Sequence, residues 1–165
     1  VWAKLHELDL NIAHVVSPED AISGSQRWHR DPEDKKECKV FLYLTDVDES
    51  SGPFMYVAGS QYGGRWRKTF PQDPPAGRYP PEGAVERVIE SKDIRSFTGK
   101  AGTVIFADTS GLHRGGYATK KERVMLTVGF VTKGCASSPH KFTYPEDFES
   151  KVKNFGAKEQ YALKV

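Results

Sequence analysis

The chain has 165 residues, of which 38% are hydrophobic, 12% aromatic and 28% charged, as in an ordinary globular domain. Its formal net charge of +2 is too small to indicate nucleic-acid binding by itself, and no run approaches the roughly 20 apolar residues of a membrane span. The chain does not start with the basic and then apolar residues that would predict a signal peptide. Its two cysteines, Cys38 and Cys135, make no disulfide framework, so a cytoplasmic location is expected.

Short β-rich runs separated by Gly and Pro turn signals follow one another along the chain, without long helical segments between them. This pattern favours an all-β dominated fold, a double-stranded β-helix (jelly-roll, cupin-like) core with a few short helices. We expect one domain over residues 1–165, lacking part of its N-terminal region because the sequence begins at Val1. The predicted strands are residues 8–16, 25–31, 38–45, 54–58, 85–89, 103–107 and 123–132. Residues 91–94 predict a short connection, and residues 145–155 predict one amphipathic helix.

Residues 70–83 contain five prolines and therefore cannot form a central strand. A connection of this length in a compact domain is usually functional or mobile, and we interpret it as a lid or rim near the site. The neighbouring basic residues are Arg65, Arg67, Lys68 and Arg78. They are either a solvated surface or a feature that attracts an acidic substrate.

Three residues have the chemistry of a metal site. In the segment Trp28-His29-Arg30-Asp31, His29 and Asp31 are two apart, so on an extended strand both point to one face. A second histidine, His113, lies downstream in the segment GLHRGG. Two imidazoles and one carboxylate form the facial triad of non-haem Fe(II) oxygenases. The alternative is a solvated strand face with His113 in a turn.

Arg123 opens an alternating strand in which Arg123, Met125 and Thr127 share one face. The opposite face, which carries Val124, Leu126, Val128 and Phe130, is predicted to be core. An inward-facing guanidinium requires an anion, and a carboxylate matches its geometry, although a surface salt bridge is the alternative.

Together these motifs resemble the phytanoyl-CoA dioxygenase-like family of Fe(II)/2-oxoglutarate-dependent oxygenases over roughly residues 25–132. The resemblance rests on WHRD (28–31), VFLYLTDVDESSGPFMYVAGS (40–60) and AGTVIFADTSGLHRGG (101–116), followed by Arg123. The chain departs from the family pattern at Gln61, where members usually have His, and at Gly115, where many carry a hydroxyl residue.

The resemblance implies an Fe(II)- and 2-oxoglutarate-dependent dioxygenase in which His29, Asp31 and His113 bind iron and catalyse the reaction, and Arg123 binds 2-oxoglutarate. With O₂, such an enzyme would release succinate and CO₂ and hydroxylate a small organic substrate, for which an acidic compound is one alternative. Tyr43 either donates a hydrogen bond to 2-oxoglutarate or packs as a core aromatic residue. No nucleic-acid or membrane partner is expected.

Three other functions remain open: a desaturase or halogenase of the same family, a non-catalytic jelly-roll module that binds metal, and a cupin-like isomerase. The Asp31 carboxylate argues against halogenation, because halogenases of the superfamily have a small residue there. A closed zinc site prefers four protein ligands, which the motif does not supply.

Overall fold

The computed structural model describes residues 3–17, 19–20, 24–71, 79–135 and 141–163. Within these ranges the secondary structure consists of seven strands, three short α-helices and two single-turn 3₁₀ helices, Gly24–Gln26 and Ser91–Asp93. The strands are β1 (Lys4–Ala13), β2 (Cys38–Tyr43), β3 (Phe54–Val57), β4 (Ile94–Phe97), β5 (Val104–Asp108), β6 (His113–Gly115) and β7 (Arg123–Val131). The helices are α1 (Ala84–Val88), α2 (Phe148–Val152) and α3 (Ala157–Leu163). None of the described helices has the length and apolarity needed to cross a membrane.

The strands form two antiparallel sheets, as the prediction of a jelly-roll core required. The larger sheet has the order β1-β7-β2-β5 and the smaller one the order β4-β3-β6. An antiparallel bridge between His29 and His113 extends the smaller sheet beyond β6. The fold class is therefore confirmed.

Two apolar clusters hold the sheets in place. The first lies between them and joins Phe41, Tyr43, Ile105 and Met125 of the larger sheet to Phe54 of the smaller one. The second lies behind the smaller sheet and consists of Trp28, Val57, Val85, Ile89 and Leu112. Because side chains alternate along β3, Phe54 faces the first cluster and Val57 the second.

The prediction that the aliphatic face of β7 belongs to the core was wrong. Met125 and Thr127 are buried with Arg123 on the inner face, whereas Val124, Leu126, Val128 and Phe130 are only partly buried. The outer face of the larger sheet also exposes Leu10 and Phe106, the latter at 73%. Alternation correctly separated the two sets of residues, but hydrophobicity alone assigned the wrong set to the interior.

The prediction of a strand at residues 85–89 was also wrong, because α1 occupies this segment. Its β-branched composition favours a strand, but Val85 and Ile89 lie one helical turn apart and both pack into the second cluster. Tertiary packing therefore outweighs local propensity here. The single helix predicted for residues 145–155 ends at Val152, and α3 follows it.

The side chain of Arg30 is buried and holds the connection between β3 and α1 against the rest of the fold. Its Nε donates to the carbonyl of Phe70 at 2.9 Å. Its Nη1 donates to the carbonyls of Ser60 (2.5 Å) and Ser110 (2.7 Å). Its Nη2 donates to the carbonyls of Trp66, Arg67 and Thr69 at 3.0–3.4 Å. One guanidinium therefore donates hydrogen bonds to six backbone carbonyls that lie outside the strands of the two sheets.

We predict that Arg30→Met lowers the free energy of unfolding by about 3 kcal/mol or more, because several buried carbonyls lose their donor and each costs about 1–3 kcal/mol. Urea unfolding measures the change. Arg95→Met, at an exposed position on β4, is the control and should change stability by no more than about 0.5 kcal/mol. Equal losses in the two variants would contradict this role of Arg30.

Candidate metal centre

Two mutual backbone hydrogen bonds place His29 opposite His113. The amide of His29 donates to the carbonyl of His113 at 3.0 Å, and the amide of His113 donates back to His29 at 2.9 Å. Directly opposed residues of an antiparallel pair project from the same face, and the two imidazole ring centroids are 4.2 Å apart. The local strand order thus brings together two histidines that are distant in sequence.

Asp31 completes the group from the same extended segment. Its amide donates to the carbonyl of Thr109 at 3.0 Å, which fixes the backbone beside the turn between β5 and β6. Its Oδ1 lies 3.6 Å from Nε2 of His29, and its Oδ2 lies 3.5 Å from Nε2 of His113. One potential ligand atom from each of the three residues lies within 4.8 Å of the others.

The hydrogen bonds of the histidines determine which ring nitrogen is available to a metal. Nδ1 of His29 lies 2.7 Å from the carbonyl of Arg27, and Nδ1 of His113 lies 2.9 Å from the carbonyl of Gly111. A carbonyl oxygen only accepts, so each Nδ1 carries the proton and each Nε2 keeps its lone pair. Both lone pairs are on the nitrogens that face Asp31, so the donor set fits a divalent transition metal.

The electrostatics of the site favour the ligand forms of these residues. Burial lowers the pKa of His113 to about 4, which keeps its imidazole neutral at physiological pH. Burial alone would raise the pKa of Asp31, but His113, Lys39 and His29 outweigh it and hold that pKa below its ordinary value. The site therefore contains a carboxylate beside the neutral imidazole of His113.

Sequence reasoning missed a group of charged residues next to Asp31. Lys39 of β2 places its Nζ 3.0 Å from Oδ2 of Asp31, and Glu7 and Glu37 lie on its other sides. Asp31, Glu33 and Glu37 also have carboxylate oxygens within 4.8 Å of one another. The available signal was alternation, since Lys39 shares the inward face of β2 with Phe41 and Tyr43.

Arg123 lines a small cavity of about 110 Å³ that the three candidate ligands also line. Its guanidinium donates to the carbonyl of Gly52, while its Nε is buried and has no hydrogen-bond partner among the described residues. Burial lowers the pKa of Arg123, and Tyr43 partly counteracts that shift. Gly115 leaves room here, because a Cβ at this position would lie 3.3 Å from Nη2 of Arg123.

Tyr43 is fully buried, and its hydroxyl makes two hydrogen bonds within the protein. It donates to the carbonyl of Phe97 at 2.7 Å and accepts from the amide of Phe54 at 3.0 Å. These bonds join the two sheets and correspond to the packing alternative for this residue. A contact of Tyr43 with 2-oxoglutarate stays a prediction.

The Pro-rich segment is described only at its ends, and residues 72–78 of the predicted lid lie outside the described residues, as does Arg78. At one end Phe70 accepts the hydrogen bond from Arg30. At the other end, the ring of Tyr79 lies 6.3 Å from the ring of His29. The second end therefore approaches the candidate ligands.

The basic residues beside this segment have partners of two kinds. Arg65 pairs with Asp93 and with Glu90, so its charge is compensated locally. Arg67 lies over the ring of Tyr62, 4.3 Å from its centroid, and borders a cavity of about 510 Å³ together with Lys35 and Lys68.

The family of the chain follows from a comparison with family models. Residues 12–125, which include all four predicted metal- and co-substrate-binding positions at 29, 31, 113 and 123, match the model described as phytanoyl-CoA dioxygenase (PhyH). The chain belongs to this family, whose members depend on iron and 2-oxoglutarate. The resemblance inferred from the motifs is thereby confirmed, together with the class of cofactors that it implied.

Solved structures with the same fold are distant in sequence. They include the apo form of the non-haem monooxygenase ThoJ (TM-score 0.54, 19% identity, 84% of this chain and 49% of that chain). AviO1 from Streptomyces viridochromogenes has a TM-score of 0.51 and 16% identity over 83% of this chain and 54% of that chain. The epimerase SnoN, solved with Fe³⁺, α-ketoglutarate and nogalamycin RO, has a TM-score of 0.53 and 16% identity over 87% of this chain and 62% of that chain.

The chain thus spans about half to three fifths of the length of these proteins. At such identities the likeness establishes the fold alone. No curated protein matches the sequence.

The charged group beside Asp31 predicts a pH dependence of stability. Burial, followed by repulsion from Asp31, raises the pKa of Glu37 from 4.5 to about 8. The folded protein therefore retains a proton that the unfolded chain releases, and Glu37 reduces stability as pH rises between these values. In metal-free protein, urea unfolding between about pH 5 and about pH 8 should lose less stability in Glu37→Gln than in the parent. Identical pH slopes would contradict the assignment.

Proposed function

We propose that the protein is an Fe(II)- and 2-oxoglutarate-dependent dioxygenase that hydroxylates a small organic substrate. The observation that carries the proposal is the convergence of His29, Asp31 and His113 beside the cavity that Arg123 borders. Each imidazole offers Nε2 with its lone pair, and the carboxylate supplies the charge that a divalent iron prefers.

The residues of the chain have separate tasks in this proposal. His29, Asp31 and His113 would hold the iron on one side and leave its other side open to the cavity. When bound, iron with 2-oxoglutarate and O₂ supplies the oxidising chemistry, and succinate and CO₂ are released. Arg123 would bind the distal carboxylate of 2-oxoglutarate, since its buried Nε lacks an acceptor and a carboxylate can receive two parallel N–H bonds. The aromatic cluster around Phe41 and Phe54 excludes water from the inner side of the cavity.

Asp31 favours hydroxylation over halogenation, because its carboxylate occupies the place that a halogenase leaves to chloride. Desaturation uses the same ligands, and substrate placement chooses between the two outcomes. SnoN is named as an epimerase and ThoJ as a monooxygenase, so this fold accommodates more than one outcome.

A non-catalytic metal-binding module is the alternative from another class. A closed structural zinc site has four protein ligands. The group that contains both histidines in the described part of the chain offers three, which favours an open, catalytic site.

An acidic substrate is part of the proposal because Lys35, Arg67 and Lys68 border one cavity and supply positive charge. The cytoplasmic location and the single domain expected from the sequence stay predictions.

The first test is conversion of 2-oxoglutarate to succinate with Fe(II) and O₂ in the absence of a second substrate. We expect slow turnover by the parent protein and a loss of about 100-fold or more in His113→Ala, because loss of a group that only orients a metal ligand already costs about 10–100-fold. His14→Ala removes an exposed histidine and is the matched control, with unchanged turnover expected. Absence of turnover in the parent, or full turnover in His113→Ala, would refute the proposed function.

The second test concerns Arg123. Arg123→Leu should raise the Michaelis constant for 2-oxoglutarate about ten- to a hundredfold, because a charge-assisted bond contributes about 1.5–3 kcal/mol. Metal affinity, measured separately by titration, should stay the same. Arg95→Leu, at an exposed position, is the control. Unchanged dependence on 2-oxoglutarate in Arg123→Leu would refute this role.

A further inference from the structure

The ammonium group of Lys39 lies among three acidic side chains at the edge of the candidate metal centre. Its Nζ is 3.0 Å from Oδ2 of Asp31, 3.0 Å from Oε2 of Glu7 and 3.7 Å from Oε1 of Glu37. Only 12% of its side chain is exposed, so these contacts are protected from solvent screening. Burial by itself would lower the pKa of Lys39, but Asp31 and Glu7 outweigh it and raise that pKa, so the side chain is a cation.

The register of the larger sheet explains how Glu7 reaches Lys39 from a strand that is not its neighbour. Gly129 of β7 is paired with Glu7 of β1 on one side and with Lys39 of β2 on the other. A Cβ on Gly129 would lie 3.2 Å from Cβ and 3.6 Å from Cδ of Glu7. Because Gly129 has no side chain, Glu7 leans across β7 and meets the ammonium on the inner face.

The contact with Asp31 is made by one particular oxygen. Oδ2 receives the ammonium of Lys39 and also faces Nε2 of His113, whereas Oδ1 faces Nε2 of His29. Each histidine is held through its Nδ1 by a backbone carbonyl. The two backbone carbonyls orient the histidines, and Lys39 stands in the same relation to Asp31. It contacts the side chain of a candidate metal ligand without being a ligand itself.

We propose that Lys39 is a positioning residue for Asp31, anchored by Glu7 across Gly129, and that it holds the carboxylate in the orientation that binds the metal. The inference rests on the proposed function in one respect, namely that Asp31 is a metal ligand. Lys39 acts through Asp31 and is therefore not a catalytic residue.

Two physical effects of Lys39 oppose each other and make the direction of the result informative. Its positive charge repels a divalent cation, so removing it would tighten metal binding if charge alone mattered. Its ion pair with Asp31 orients a ligand, so removing it weakens binding by about 10–100-fold if orientation dominates. Glu7, at 3.0 Å from the ammonium, already compensates much of the charge, and orientation is therefore the larger effect.

The experiment is titration of the metal-free protein with Co²⁺ alone, followed by the visible absorption of the bound ion, without 2-oxoglutarate or O₂. Lys39→Met keeps much of the side-chain volume, and we expect it to bind Co²⁺ about 10–100-fold more weakly with an altered spectrum. Lys36→Met, an exposed lysine of the same segment, is the matched control and should titrate like the parent. Unchanged or tighter binding by Lys39→Met would overturn the proposal.

Glu7→Gln is the second variant and serves if Lys39→Met fails to fold. Loss of the anchoring charge should weaken Co²⁺ binding in the same direction by about 3–10-fold, less than removal of the direct contact. In the Lys39→Met background, Glu7→Gln should have no further effect, because it acts through Lys39. Full affinity in the single variant, or an undiminished effect in the double variant, would overturn the anchor. Failure of the parent to bind Co²⁺ overturns the proposed function and this inference together, whereas tight binding with no effect of Lys39 overturns only the latter.

Discussion

The mutual hydrogen bonds between the backbones of His29 and His113 are the constraint on which the candidate centre depends. They attach the segment before β2 to the edge of the smaller sheet, so both imidazoles leave the same face. Each ring is then oriented by the carbonyl two residues before it in the chain. The same hydrogen bond from a histidine ring to a carbonyl two residues earlier thus occurs twice. Asp31 joins the two imidazoles because it follows His29 by two positions.

The space between the sheets is divided into an apolar part and a charged part. Around Phe41, Tyr43 and Phe54 it is filled with aromatic rings that join the sheets. Towards His29 and His113 it contains charged side chains, and the sheet register determines which of them come into contact. A glycine in β7 and the inward side of β2 are sufficient to bring Glu7 to the ammonium of Lys39, which also contacts Asp31. The backbone pairing therefore determines the electrostatics of the site as well as its shape.

Much of the fold and the candidate ligands could be predicted, and the reasons differ by residue. His29, Asp31, His113 and Arg123 belong to motifs whose order is visible in the sequence. Lys39 was not predicted, because its partners come from β1 and from residues 31–37, and only the register brings them together. The strand expected at residues 85–89 is a helix, since Val85 and Ile89 pack against the smaller sheet rather than pair with it. The inner face of β7 was misassigned because the buried side carries polar residues and the aliphatic side faces outward.

Arg30 has a consequence for the protein in acid. A guanidinium stays protonated throughout the pH range in which proteins remain folded. Its six carbonyl partners do not titrate either, so the hydrogen bonds of Arg30, including those to Ser60 and Ser110, are insensitive to acidification. The candidate ligands, in contrast, exchange protons for metal as pH falls. Acid should therefore release the metal before it breaks the hydrogen bonds of Arg30. Neutralisation should then restore metal binding, because the loop that Arg30 holds has stayed in place.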